Sequence, residues 1–498
     1  MRRLIKITAV LAAVILLLCC NNIDLNPFVS AQVKEGHRLA RVYCKSCHRF
    51  PEPDLLDKNT WEAFVLPKMG VFMGFMRFPT GGYAGTGKES INLEEWKSIT
   101  QYYISQSPKE LPAGKSQKIR AQTSLFTASR PAFTIKKPAT TLVSFDTASH
   151  QFFWGDGITG EIFEGLKQPG LKGKLLASRQ GIAHLHRAGN KFLSLSMGLL
   201  HPSDEKLGKL EMIDPEKKRV STLLDSLQRP VHASYADLNG DGREDIVVCE
   251  FGNLTGALSW FEKEDSSHYR KHILRALPGA VCTQVHDFNG DGLPDVIVLM
   301  AQGDEGLFIY YNKGGGQFRE QRILQFPPSY GSNYFELADF DKDGHPDILA
   351  TNGDNGDYPP VLKPYHGIRI YHNDGNNKFS QTAFLPVNGA GKAVARDFDG
   401  DGDLDLASIA YFPDYEHTPQ EGFLYWENKG AYRFEPSSIK EVTLGRWLTM
   451  DAGDIDGDGD PDIVLGNSFF SLGSVPARFV KAWEHYTPSI LILTNTRH

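Results

Sequence analysis

The chain has 498 residues, 41% hydrophobic and 23% charged, with 53 basic against 60 acidic side chains and a formal charge of −7. That length can bury more than one core and points to two or more domains. The acidic balance argues against nucleic acid as a partner, because such proteins carry a basic face.

Residues 1–20 begin with Arg2, Arg3 and Lys6, and an apolar run from Ile7 to Leu18 ends in Cys19 and Cys20. The run is short for a membrane span, and a basic start before a short apolar stretch reads as an export signal. A cysteine at its end resembles a lipoprotein signal, in which that cysteine becomes the acylated first residue. A small residue usually precedes it, so Cys20 (after Cys19) fits better than Cys19 (after Leu18). Ordinary cleavage after Ala31 is the alternative. Either route puts the mature protein in the cell envelope, and acylation would tether it to a membrane facing the periplasm or the exterior.

The next stretch, Gly36 to Tyr43, reads as a helix with Leu39, Val42 and Tyr43 on one face, and it leads into Cys44-Lys-Ser-Cys47-His48. Cys-x-x-Cys-His is the c-type haem attachment signature. Two thiols at that spacing add across the haem vinyl groups, and the adjacent imidazole of His48 reaches the iron. A redox dithiol would favour a βαβ context, and a zinc site would need a second pair. Downstream, Asn59-Thr-Trp-Glu62 has the form of a capping box. It would open a short helix from Trp61 to Leu66, stopped by Pro67, with Met69 on a turn ending in Gly70. Met69 is the expected sixth iron ligand, with Met73 and Met76 as rivals; His/Met ligation raises the reduction potential. A second capping box, Asn92 to Glu95, opens a helix whose stripe of Trp96, Ile99 and Tyr103 should pack on the first helix as core. Together, residues 33–107 resemble a small class I cytochrome c in their helix–CxxCH–loop–helix order. Residues 108–138 turn to Pro, Lys, Ser and Ala and read as a linker, with an edge strand at Ala132-Phe-Thr-Ile.

The remainder, 139–498, is dominated by a loop motif that occurs five times. It places Asp237, Asn239, Asp241 and Asp245; Asp287, Asn289, Asp291 and Asp295; and Asp339, Asp341, Asp343 and Asp347 at positions 1, 3, 5 and 9. The last two copies place Asp397, Asp399, Asp401 and Asp405, then Asp454, Asp456, Asp458 and Asp462, in the same way. Position 6 is glycine throughout. Oxygen ligands from a tight loop, with glycine where the backbone turns sharply, are how a hard dication such as calcium is wrapped. An EF-hand would need Glu at position 12, but that position is Val248, Val298, Ala350, Ser408 or Leu465, inside an apolar run such as Ile246-Val-Val-Cys or Val296-Ile-Val-Leu. Each loop therefore leads into a strand. The copies start 50 to 58 residues apart (from 237 to 454), and a near-fixed step of that size means stacked units that cannot bury a core singly.

This pattern resembles the FG-GAP (VCBS) repeats of bacterial propeller proteins and of the integrin alpha-subunit head. The resemblance implies a β-propeller of four-stranded blades with calcium in the turn between first and second strands. Two further blades lack the motif, from Leu142 through Gln151-Phe-Phe-Trp and from Ile182 through Lys209-Leu-Glu-Met-Ile. The expected whole is a multidomain chain, a small all-α cytochrome c domain followed by an all-β seven-bladed β-propeller with calcium-binding loops. Ser489-Ile-Leu-Ile-Leu-Thr should close the ring. Phe50-Pro-Glu-Pro-Asp-Leu-Leu and Val65-Leu-Pro-Lys-Met-Gly also resemble cytochrome modules that precede FG-GAP propellers in environmental bacteria. Cys249 and Cys282 fall on inner strands and read as buried small hydrophobes rather than a disulfide.

With the acidic loops on the bottom face, the long insertions Asn352 to Tyr365, Phe412 to Gly422 and Asn467 to Ala482 crowd the top, and long loops in compact domains tend to be functional. Five residues before each motif stand His232, Cys282, Tyr334, Lys392 and Thr449, one level of the channel wall, with His184 and Arg446 expected nearby. Such a mixture suits a polar or anionic ligand, and equally a hydrated channel. Three functions fit: an exported haem c electron-transfer protein whose propeller docks a redox partner or ligand; an envelope oxidoreductase; or a glycan- or protein-binding module with a tethered cytochrome. One haem takes one electron, so the oxidoreductase would need a second redox cofactor, such as a quinone. The cofactors expected are one haem c and up to five calcium ions.

Overall fold

The computed structural model describes residues 27–46, 48–79, 81–114, 117–131, 134–165, 172–177, 179–265, 268–356, 361–470 and 475–497. The export signal with Cys20, and Cys47, lie outside them. The chain divides into two compact units, one running to Glu110 but leaving out a short segment that ends at Pro51, which groups with the second unit from Leu111 onward. Among the described residues no helix is long and apolar enough to cross a membrane.

Among the described residues the first unit has four α-helices: α1 (Pro27–Tyr43), α2 (Lys58–Thr60), α3 (Leu66–Phe72) and α4 (Leu93–Gln106). The capping box of α4 forms as expected: the Asn92 side chain accepts from Glu95 N at 2.9 Å, and Asn92 N donates to Glu95 Oε2 at 2.9 Å. Its stripe of Trp96, Ile99 and Tyr103 is fully buried. α1 and α4 meet at Gly36, where a Cβ would stand 2.0 Å from the Ser98 carbonyl oxygen, so the close approach admits only glycine. His37 then stacks on Tyr102 with centroids 5.0 Å apart.

Between these helices the structure corrects two expectations. The cap of the middle helix is Asp57, two residues before Asn59: its carboxylate accepts from Thr60 N at 3.0 Å and from Thr60 Oγ1 at 2.6 Å. Pro67 does not stop the helix either. A π turn, Trp61–Val65, joins α2 to α3, and Leu66 N donates to the Trp61 carbonyl. The wider turn absorbs the donor that the proline ring removes, so the rod continues to Phe72. Met69 therefore lies inside a helix and not on a turn.

The second unit is a seven-bladed β-propeller of four-stranded antiparallel sheets. The first strands of successive blades are Thr140–Asp146, Ile182–Ala188, Pro230–Ala236, Ala280–His286, Ser332–Ala338, Ala390–Arg396 and Trp447–Gly453. In the five motif-bearing blades the second strand is buried at every position, as in Asp295–Met300 and Asp405–Ala410, because neighbouring blades cover both its faces. Their apolar runs without alternation record that burial. Of the fourth strands, Phe318–Gln325 has no fully buried position.

Ring closure differs from expectation. Ile490–Asn495 is the third strand of the last blade, and the fourth comes from the other end of the chain: Phe126–Ser129 pairs with it, Phe126 opposite Asn495 and Ser129 opposite Ile492. The stretch read as linker therefore holds a blade strand, six residues before the edge strand expected at Ala132. Of that expected strand, Ala132 and Phe133 lie outside the described residues, and Thr134 and Ile135 are not extended into a sheet.

Phe126 anchors the closing strand, 6% exposed and edge-on to Phe398 at 5.7 Å and Tyr425 at 5.6 Å. Phe126→Ala should cost ~3–5 kcal/mol of propeller stability through the cavity it leaves. A urea titration followed by tryptophan fluorescence checks this; an unchanged midpoint would mean that the closing strand contributes nothing.

Candidate functional site

The five acidic turns share one geometry. Their position-6 glycines, Gly242, Gly292, Gly344, Gly402 and Gly459, have φ between +81° and +95°, a region costly for any side chain. The position-1 aspartate gathers the turn: Asp237 accepts from Gly240 N at 2.8 Å and Gly242 N at 2.7 Å, and Asp287 from Gly290 N and Gly292 N, both at 2.8 Å. These amide bonds hold Asp287 below the usual carboxylate range. Carboxylate oxygens of Asp339, Asp341 and Asp343, of Asp397, Asp399 and Asp401, and of Asp454, Asp456 and Asp462 each converge within 4.8 Å. Asp341 and Asp347 also meet His372, which the sequence did not single out.

The position-9 aspartates have a further task. Asp245, Asp295, Asp347 and Asp405 are completely buried, and Asp462 nearly so. Each is bonded on two sides by backbone. Asp245 accepts from Leu238 N at 3.2 Å and Lys263 N at 2.8 Å; Asp462 accepts from Ile455 N at 2.9 Å and Asn495 N at 2.8 Å. Burial first, then the neighbouring carboxylates, pushes Asp405 and Asp462 up to about 6. A cluster of this kind, held in place by amides and short of positive charge, suits a divalent cation with oxygen ligands.

In the channel, the structure brings together five of the residues picked out at one level. His184 and His232 lie with ring centroids 4.7 Å apart, and His232 Nδ1 accepts from Thr283 N at 3.4 Å. Lys392 Nζ sits 4.7 Å above the Tyr334 ring. Burial, then the other histidine and Lys392, holds His184 well below the usual imidazole range. His232 is held down to about 4, by burial and then by Lys392. Both rings are therefore neutral at pH 7. Cys282 stands at the same level, its thiol pushed up to about 12 by burial, and neither it nor Cys249 forms a disulfide.

Arg446 belongs elsewhere. It is 2% exposed, stacked 3.5 Å from the Tyr411 ring centroid and 4.9 Å from that of Phe412, with Nε donating to the Tyr411 carbonyl at 2.8 Å. It braces an insertion rather than the channel. The sequence reading missed residues one step further along two of the same strands: His186 stacks on Tyr235 with centroids 4.0 Å apart, and Glu336 pairs with Arg396. Their signal was the two-residue period of a strand, counted onward from His184 and Tyr334.

At the CxxCH segment, Cys44 is 5% exposed, at the end of α1. It lies against Tyr103, whose phenol is pushed far up by burial first and by Cys44 second. His48 Nδ1 is 2.8 Å from the Arg49 carbonyl. A carbonyl only accepts, so Nδ1 carries the proton and Nε2 presents a lone pair, the tautomer an imidazole needs to ligate a metal. Met69 is half-buried, and Met76 is 58% exposed on the short strand Phe75–Arg77. Trp96 Nε1 is buried without a hydrogen-bond partner among the described residues, a donor that suits an added polar group.

Seven four-stranded blades, five of them with an acidic turn between first and second strands, define a β-propeller. In comparison with known proteins, the FG-GAP-like repeat family matches residues 287–350 and 397–465, which span the last four acidic turns. The chain thus carries FG-GAP-like repeats. No curated protein matches. Among solved structures, a chain of an S. cerevisiae Dbp5 variant complex with Nup159, a Gle1 variant, IP6 and ADP aligns at 10% identity. It covers 78% of this chain and 100% of that chain with a TM-score of 0.43, too weak a likeness to carry any argument.

The raised acids give a pH dependence. A carboxyl whose folded value is about 6 binds its proton more tightly folded than unfolded, where the value is ~3.9. Its contribution is then favourable at low pH and is lost as pH rises through 6. In excess chelator, the propeller's melting temperature should therefore fall between pH 5 and pH 7 in calorimetry. A rise across that window would show the two acids to be otherwise compensated.

Proposed function

We propose that this chain is an exported electron-transfer protein: residues 33–107 carry one covalent haem c, and a calcium-stapled propeller docks a redox partner or ligand on the face opposite the acidic turns. The observation that carries the reading is the Cys44–His48 segment, with a buried thiol at the end of a helix and an imidazole whose Nδ1 is committed to a carbonyl. Cys44 and Cys47 would hold the porphyrin, and His48 would bind the iron. Met69 remains the expected sixth ligand, with Met73 at the end of the same rod and Met76 beyond it. When bound, haem supplies a one-electron couple. The protein's own part is to exclude water with Trp61, Trp96 and Tyr103, all buried, and to fix the imidazole tautomer.

Calcium in the acidic turns would neutralise the converging carboxylates and pin each first strand to the second. Cys20 would carry the lipid. A single one-electron centre favours electron transfer over oxidation of an organic substrate, which needs two.

With a working c-type maturation system, the product should be red and keep its haem on denaturing gels. Cys44→Ser should lose one thioether, shifting the α-band of the pyridine haemochrome, and Met69→Ala should remove the methionine-to-iron charge-transfer band. Colourless wild-type protein sinks the redox reading, and an unchanged band moves the sixth ligand to Met73 or Met76. Calcium at a thousandfold its Kd should add ~4 kcal/mol per occupied turn, so a melting temperature indifferent to chelator would remove calcium from the account.

A further inference from the structure

Pro364 and Tyr365, in the connection between Asn352 and Gly367, help wall a cavity of about 460 Å³ on the propeller face opposite the acidic turns. That lies within the ~300–1,000 Å³ usual for small-molecule sites. At its wall is Arg369, only 4% exposed. The guanidinium carbon lies 4.6 Å from the Tyr330 ring centroid and 4.5 Å from that of Phe384, so its plane is fixed between two aromatic faces. Nη1 donates to Asn352 Oδ1 at 2.7 Å and Nη2 to the Tyr365 carbonyl at 2.6 Å. Both acceptors are neutral. Among the described residues Arg369 has no ion-pair partner, although burying a guanidinium without a counter-charge is costly. The carboxyl that acts on it through space, Glu305, is pushed up to about 8 by burial. Arg49, in the short segment that groups with the propeller, adds a second guanidinium, which donates to the Gln325 carbonyl at 3.1 Å.

The rest of the wall says what carries the anion. Tyr365 stacks parallel on Tyr330 at 4.8 Å, and Tyr371 and Phe384 offer further aromatic surface, while Gln381 supplies a planar amide. The cavity is open on one side. Aromatic faces cover the C–H faces of sugar rings, and planar amide and guanidinium groups bridge neighbouring hydroxyls. An open mouth leaves the other hydroxyls in water, which a wholly aromatic ligand would not need.

We infer that this pocket binds an acidic sugar, a uronate-bearing oligosaccharide whose carboxylate pairs with Arg369 and whose ring lies against Tyr365. The site rests on the propeller half of the proposed function, that the face opposite the acidic turns takes a ligand. Arg369 and the aromatic wall do not draw on the haem half; only Arg49, next to His48, adjoins it.

The test is calorimetric titration of the full-length haem- and calcium-loaded protein with di- and trigalacturonate, with the corresponding neutral galactosides, and with benzoate. Binding of the uronates alone, weakened at least ~10-fold by Arg369→Gln and also by Tyr365→Ala, supports the inference. Because Arg369 is buried, melting curves of both variants are taken first; Tyr365→Ala and Gln381→Ala at the rim keep the test valid if Arg369→Gln unfolds. Equal binding of neutral and acidic sugars overturns the role of Arg369. Preference for benzoate overturns the sugar class, and no binding in red, calcium-loaded protein overturns the site while leaving electron transfer standing.

Discussion

The propeller depends on a carboxylate that should not be inside a protein. At the end of each acidic turn an aspartate is removed from water, which is costly unless every lone pair finds a donor. The donors come from two directions. One is the amide that starts the turn, such as Phe288 N for Asp295; the other is the amide that ends the third strand, Asn312 N, at 2.7 Å. The same pairing recurs as Asp347 with Asn373, Asp405 with Asn428 and Asp462 with Asn495. One side chain thus ties first, second and third strands of a blade together at one end. The asparagines extend the tie across blades: Asn312 Nδ2 donates to the Leu238 carbonyl, and Asn495 Nδ2 to that of Phe398, each in the preceding blade's turn.

This arrangement makes the two faces unequal. On the acidic face, strand ends are locked by charge-assisted bonds that a longer or displaced loop would break. The opposite face carries no copy of the acidic motif, and the second-to-third strand connections there can grow. They do so in the last three blades, one of them holding a helix, α5 (Ala477–His485). What holds these insertions is particular to each. Asn467 accepts from Arg446 N and donates to Thr487 Oγ1 and the Pro488 carbonyl, while Arg446 lies under Tyr411. Function can therefore vary on one face without disturbing the scaffold on the other.

The same contrast explains what could be seen in the sequence. The acidic turns and their following apolar strands were legible because their spacing is local and repeated, and so was the capping box at Asn92. The closing strand was not: Phe126–Ser129 pairs with Ile490–Asn495 across almost the whole propeller, and four residues of modest strand character carry no sign of their partner. The helix through Pro67 was missed because a π turn, which rescues a proline, has no composition of its own. The asparagines that end the third strands were visible as letters at Asn312, Asn373, Asn428 and Asn495, but their role emerges only once the buried aspartate is placed. Arg446 was misplaced because a step counted from the motif gives height along the channel axis and says nothing about which way an insertion will pull a side chain.

Two polar sites on the propeller compete for the role of ligand receptor, and their charge balance separates them. In the channel the cation is Lys392, set over Tyr334 and opposed through space by the Glu336 carboxyl, which also pairs with Arg396. The two histidines beside it are neutral, and Lys392 and Arg396 already face a carboxylate there. At the rim, Arg369 is buried with neutral acceptors only, and Arg49 adds to the same sign of charge. An uncompensated charge in low dielectric is a binding energy held in reserve for an anion. On the proposed reading, recognition sits at the rim, where the aromatic faces also are, and the channel is the axle around which the blades are arranged.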